Sequence, residues 1–130
     1  MYVEVALVVA SVNIETPGDS HFLLSSGCCA LELPKKQVPK DATTKQTAAV
    51  LLEAITQLNA KTEKGGWVEL EQCETMESPG ILCVPYACLL PKDVANLPPE
   101  NQTYKWVKAS ELHLTNRDLL KQILECTKRL

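Results

Sequence analysis

Four kinds of side chain in this sequence could do chemistry: thiols, carboxylates, ammonium groups and aromatic rings. Their spacing decides what each can do. Cys28, Cys29, Cys73, Cys83, Cys88 and Cys126 include no Cys-x-x-Cys pair, and His21 and His113 stand alone. The paired spacing of a zinc site or a redox dithiol is therefore missing. Neither Cys28 nor Cys29 sits in a nucleophile motif, and Cys83 and Cys88 project to opposite faces of a strand. Free cysteine packs as a small hydrophobe, which is the plain reading of all six. Glu69, Glu71 and Glu74 place two or three carboxylates near one strand. They form either a hard-cation site or, more plainly, a solvated strand face. Lys35, Lys36 and Lys40 concentrate positive charge, suited to an anionic ligand such as a phosphate or simply to a polar loop. Tyr104 and Trp106 share one face of a strand, where they either stack a nucleotide ring or pack as core.

The chain that must position these groups has 130 residues, 45% of them hydrophobic, a length and composition that predict one domain over residues 1–130 with a core needing no staples. Sixteen acidic residues against thirteen basic ones leave a formal charge of −3, which weighs against nucleic acid as a partner. No apolar run is long enough to cross a membrane as a helix. The opening run Met1 to Ala10 lacks a basic leading region and is interrupted by Glu4. It reads as a buried strand rather than a secretory signal, which predicts a cytoplasmic protein with reduced thiols.

Hydrophobic patterning predicts the elements. Tyr2 to Ile14 is a valine-rich strand, apolar on both faces, which makes a hairpin with His21 to Ser25. A short strand from Cys28 ends at Leu33. Lys35 to Asp41, polar and punctuated by Pro39, reads as a loop. From Thr43 or Thr44 the period becomes helical, with Ala48, Leu51, Leu52, Ile55 and Leu58 forming one stripe. Asp41 or either threonine is its candidate cap. Trp67 to Glu74 alternates as a half-exposed strand, Glu77 to Gly80 is a turn, and Ile81 to Leu90 is a second apolar strand. Pro85 within it demands an edge or a bulge. Pro91 to Gln102 is a loop, Tyr104 to Lys108 a short strand, and Ala109 to Leu112 a turn. Thr115 to Asp118 resembles a capping box, opening a last helix whose inward stripe reads as Leu120, Ile123, Leu124 and Thr127. Strands and helices in this order predict a sheet between helices.

Leu33-Pro34-Lys35-Lys36-Gln37-Val38, with the polar loop and alanine-led helix after it, resembles the Nudix hydrolase family in its divergent form. The strand at 81–90, the long loop and Tyr104-Lys105-Trp106-Val107-Lys108-Ala109-Ser110-Glu111-Leu112 extend the resemblance by order of elements. It implies an α/β fold of the α+β kind, a Nudix-like α/β/α sandwich with a mixed sheet. It also implies magnesium-dependent hydrolysis of a nucleoside diphosphate derivative, with helical glutamates holding the metal. Aligned without gaps, however, the two loop glycines of the family become Lys35 and Lys36, and the glutamate after the loop becomes Ala42. Val50 and Leu51 replace the arginine and glutamate that open the helical signature, Ala54 and Ile55 replace the paired glutamates, and Gln57 replaces the closing glycine. Glu53 survives nearby but lies about 100° around the helix from Ala54. The expectation is a catalytically degenerate protein without a cofactor, acting by binding a protein partner or a nucleotide-like ligand, with Lys35, Lys36, Tyr104 and Trp106 as candidate ligand-binding residues. The alternative is a hydrolase whose magnesium is held by displaced carboxylates, with Glu53, Glu69 and Glu71 as candidates. An apolar helix surface around Ala48, Ala49, Val50 and Ala54 is a further candidate docking or self-association face.

Overall fold

A computed structural model describes residues 2–11, 15–26, 31–56, 69–90 and 103–127. Among them, eight strands form one mixed sheet: β1 (Tyr2–Ser11), β2 (His21–Ser26), β3 (Leu31–Glu32), β4 (Lys35–Gln37), β5 (Glu71–Gln72), β6 (Met76–Ser78), β7 (Ile81–Leu90) and β8 (Tyr104–Lys108). Helix α1 (Thr44–Thr56) follows β4, and α2 (Ala109–Thr115) and α3 (Arg117–Thr127) follow β8. The spine is the parallel pair β1 and β7, in register from Tyr2 opposite Ile81 to Ser11 opposite Leu90. The other pairings are antiparallel.

Alternation along β1 divides the core in two. Val5, Leu7 and Val9 face α1 and meet Ala48, Leu51, Leu52 and Ile55. Ala6, Val8 and Ala10 face the other way and meet Leu112 of α2 and Leu119, Ile123 and Cys126 of α3. A strand covered on both faces must be apolar throughout, which is why β1 reads as an unbroken run. The result is the expected α/β/α sandwich with a mixed sheet.

Several local expectations hold. Thr43 is the cap of α1: its hydroxyl accepts the Gln46 N–H at 3.1 Å while its own N–H donates to Gln46 Oε1 at 3.0 Å, a reciprocal capping box. Leu58 lies outside the described residues, but the rest of the predicted stripe is buried. Pro85 sits where the partner of β7 changes, since β5 pairs with Tyr86 and Ala87 and β6 with Ile81 to Cys83. Its carbonyl accepts the Cys73 N–H at 2.8 Å between those two strands, so the missing amide falls in a break of the ladder. Gly80, at φ +80°, follows Pro79 in the two-residue link from β6 to β7, a position that favours glycine.

Other expectations need correction. Lys35 to Gln37 is a strand, not a loop. Among the described residues, β1 and β2 pair through Ala10–Phe22 and Ser11–His21, and β3 and β4 fill the space where they part. The edge of β1 needs partners there, and Leu7 N–H to Pro34 O at 2.9 Å and Val38 N–H to Val3 O at 2.8 Å frame β4. Ladder bonds use only the main chain, so polar side chains do not prevent them. Glu77 and Ser78 belong to β6 rather than to a turn, and of the predicted strand at 67–74 only Glu71 and Gln72 pair, with Trp67 and Val68 outside the described residues. Ala109 to Leu112 opens a helix that has no side-chain cap at Lys108, which removes the usual signal in sequence. The cap of α3 is Asn116, whose Oδ1 accepts the Leu119 N–H at 3.1 Å, while the Thr115 hydroxyl donates to the Glu111 carbonyl. Helix α3 is accordingly rotated from the expected stripe: Leu119, Ile123 and Cys126 are buried and Leu124 is exposed.

Leu52 is fully buried beneath α1. The Leu52→Ala variant is expected to lose about 2–5 kcal/mol of stability in urea unfolding, and Thr43→Ala about 1 kcal/mol through the lost cap.

Candidate functional site

Helix α1 packs on β1, β4 and β7, and its start is tied down by the Thr44 hydroxyl at 2.8 Å from the Tyr86 hydroxyl, which in turn donates to Gln72 Oε1 at 3.4 Å. This orientation buries Leu51 and Ile55 in the core and leaves Val50, Glu53 and Ala54 exposed. Ala48 is fully buried, so the apolar outer face of α1 is smaller than the sequence implied. At the helix positions expected to carry carboxylates, two side chains are core hydrocarbon and none offers an oxygen. These residues do not fit a magnesium ion.

The other carboxylate candidates do not converge on α1. Glu71 lies opposite Ala87, whose side chain belongs to the core under α2 and α3, so Glu71 projects to the face away from α1. Glu53 is on the exposed side of α1, and Glu69 is exposed before β5. Among the described residues, no three His, Cys, Asp or Glu side chains gather as a metal site.

The candidate ligand residues are also divided by the sheet. Lys35 lies opposite Ala6 and projects to the α2–α3 face, whereas Lys36 lies opposite Val5 and projects to the α1 face. Trp106 is opposite Leu23, so Trp106 and Tyr104 share the α1 face, half-buried against its core. The four do not gather on one face; Tyr104 and Trp106 pack half-buried against the α1 core, and Trp106 also borders a hollow of about 650 Å³ with Leu31, Lys105, Glu111 and Leu114.

What the structure assembles instead is a groove along α3. Lys35 borders a hollow of about 240 Å³ with Leu31, Leu33, Asn116, Asp118 and Gln122 among its walls. Asp118 and Gln122 are shared with a larger cavity of about 710 Å³ between α3 and the β5–β6 connection. Its walls include Cys73, Glu74 and Met76 on one side and Lys121, Glu125 and Cys126 on the other. Sequence reasoning named Cys73, Glu74, Asp118 and Cys126 only separately and passed over Met76, Lys121, Gln122 and Glu125. Their signal was the recurrence of Asp118, Lys121, Gln122 and Glu125 at helical spacing on one face, hidden by reading Asp118 only as a cap.

The thiols lie beside this cavity and in the core. Cys73 Sγ donates to the Cys126 carbonyl at 3.2 Å. Burial, assisted by the neighbouring Cys73, pushes the Cys126 thiol up to about 12. Burial alone does the same for Cys88, on the opposite side of the sheet, and burial with Glu4 nearby raises Cys83. Cys28 and Cys29 lie outside the described residues.

With this geometry in place, the neighbours in fold are decisive. The structure superimposes on a mutT/nudix family protein from Listeria innocua with a TM-score of 0.69 at 14% identity, over 98% of this chain and 92% of that one. The fold is the Nudix fold. The NUDIX domain of Shewanella oneidensis NrtR, solved with ADP ribose, matches this Nudix fold at a TM-score of 0.62 and 16% identity, over 98% of this chain and 86% of that one. A chain in the complex of the C-terminal domain of mouse MUTYH with human PCNA matches at 0.66 and 15%, over 99% and 88%. The sequence itself matches no protein-family model and no curated protein. Among the described residues, no helix of the Nudix fold is long and apolar enough to cross a membrane.

The raised thiols set an alkaline limit. A thiol whose folded pKa stands near 12, against 9.0 unfolded, favours the folded state fully below pH 9 and loses that contribution as pH rises toward 12. The urea midpoint is expected to fall across that window, and Cys88→Ala or Cys126→Ala should each flatten part of the slope. At neutral pH both thiols should resist iodoacetamide in the folded protein and react after unfolding, as read by mass spectrometry.

Proposed function

We propose that this chain is a Nudix-fold binding module that does not hydrolyse a nucleotide derivative and acts by holding a protein partner. The observation that carries this reading is the burial of Leu51 and Ile55 at helix positions where the Nudix resemblance calls for carboxylates. A metal ion there would have to displace packed hydrocarbon and would find no hard oxygen ligand. The fold is compatible with either kind of ligand, since one neighbour was solved with ADP ribose and another within a two-protein complex.

Charge favours a protein over a nucleotide. The groove along α3 carries Glu32, Glu74, Asp118 and Glu125 against Lys35 and Lys121. A diphosphate entering it without a bound cation meets a negative field. Lys36 lies on the other face of the sheet and does not offset that field.

Calorimetric titration with magnesium and manganese, alone and then with ADP-ribose, tests the reading. The expected result is no metal binding from micromolar to low-millimolar concentrations and no turnover of nucleoside diphosphate derivatives. Magnesium-dependent turnover abolished by Glu69→Ala or Glu71→Ala would overturn it and establish a hydrolase with displaced metal ligands.

A further inference from the structure

We propose that the cavity between α3 and the β5–β6 connection is the docking site for a basic segment of a partner protein, receiving an arginine or lysine beside an apolar side chain. This deepens the binding-module reading and rests on it. At about 710 Å³ this open groove lies within the size range of ligand-binding clefts. Its floor is soft and uncharged. Cys73 and Cys126 are buried, and their mutual contact and burial keep the Cys126 thiol protonated at neutral pH. Met76 adds a thioether held by the Gln122 side-chain amide at 3.4 Å, an adaptable surface for an apolar group.

The rim supplies the charge. Among the described residues, the rim carries the carboxylates of Glu74, Asp118 and Glu125 and the ammonium of Lys121, a formal excess of two negative charges around a floor of low polarity. Such walls concentrate a field that attracts cations. Carboxylates match the fork of a guanidinium, which forms strong charge-assisted hydrogen bonds. A bare metal ion is a poor occupant, because no three ligating side chains gather among the described residues.

Continuity favours a segment over a small amine. Asp118 and Gln122 also border the adjoining hollow, whose walls include Leu31, Leu33 and Leu119. A chain lying along α3 can place its cation at the acidic rim and an apolar residue in the next hollow, whereas a single amine fills only one of them.

Methionine methyl resonances provide a local test, because the chain has two methionines and Met76 borders the cavity. In protein carrying ¹³C-methyl methionine, a synthetic peptide of alternating arginine and leucine is expected to shift the Met76 signal saturably. The same peptide with glutamate for arginine should leave it unmoved. Glu74 and Glu125 are exposed, so Glu74→Gln and Glu125→Gln are expected to fold normally. Together they should weaken binding by on the order of tenfold or more, as expected for lost hydrogen bonds to charged groups. Lys121→Glu should strengthen it, and added salt should weaken it.

An unmoved Met76 signal, an equal response to the glutamate peptide or to ADP-ribose, or saturation by arginine methyl ester at the same affinity as the peptide would overturn the proposal. Failure of the broader reading has a different signature, metal-dependent turnover in the calorimetric and activity assays. A silent Met76 in a protein without turnover defeats this site alone.

Discussion

The structure depends on the burial of the parallel pair β1 and β7 on both faces. Ten consecutive residue pairs join these strands, and parallel strands are stable only when helices cover both sides. That requirement brings α1 to one face and α2 with α3 to the other. It also sends the odd- and even-numbered residues of β1 into separate cores, with Val5, Leu7 and Val9 toward α1 and the smaller Ala6 and Ala10 with Val8 toward α3.

The same constraint governs what α1 can do. Its start is capped by Thr43 and anchored through Thr44 to Tyr86, which sets its rotation over the sheet. With Leu51 and Ile55 turned inward, the helix contributes hydrocarbon to the core. Carboxylates at those positions would have to remain solvated or coordinate a cation. With Leu51 and Ile55 buried, this surface of α1 is occupied by core packing. Outer polar positions of α3 line a concave surface together with the β5–β6 connection, on the face of the sheet away from α1.

Lysines 35 and 36 show how tertiary structure redistributes a local signal. In sequence they are a doublet in a polar stretch. In the sheet they are consecutive residues of a strand and therefore face opposite sides, one toward the α3 groove and one toward the α1 face. Tyr104 and Trp106 obey the same alternation with the opposite outcome, since residues two apart stay together. Their shared face packs, half-buried, against the α1 core.

By itself the sequence determined the long apolar strands and the α1 stripe, and it narrowed the cap of α1 to Asp41, Thr43 or Thr44. Each is a local property of residue type and period, legible from the side chains themselves. The resemblance in element order also led to the right sandwich. Only the tertiary structure decided that Lys35 to Gln37 pairs with β1, that α2 forms without a side-chain cap, and that α3 buries Leu119 and Cys126 while Leu124 stays exposed. Those outcomes follow from demands made by distant segments: the open edge of β1 needs a partner, and the core around Ala6, Val8 and Ala10 needs covering helices. Glu74, Asp118 and Glu125 met in one groove for the same reason. Residues far apart in the chain become neighbours only when the sheet brings their elements together, and no local spacing records that juxtaposition.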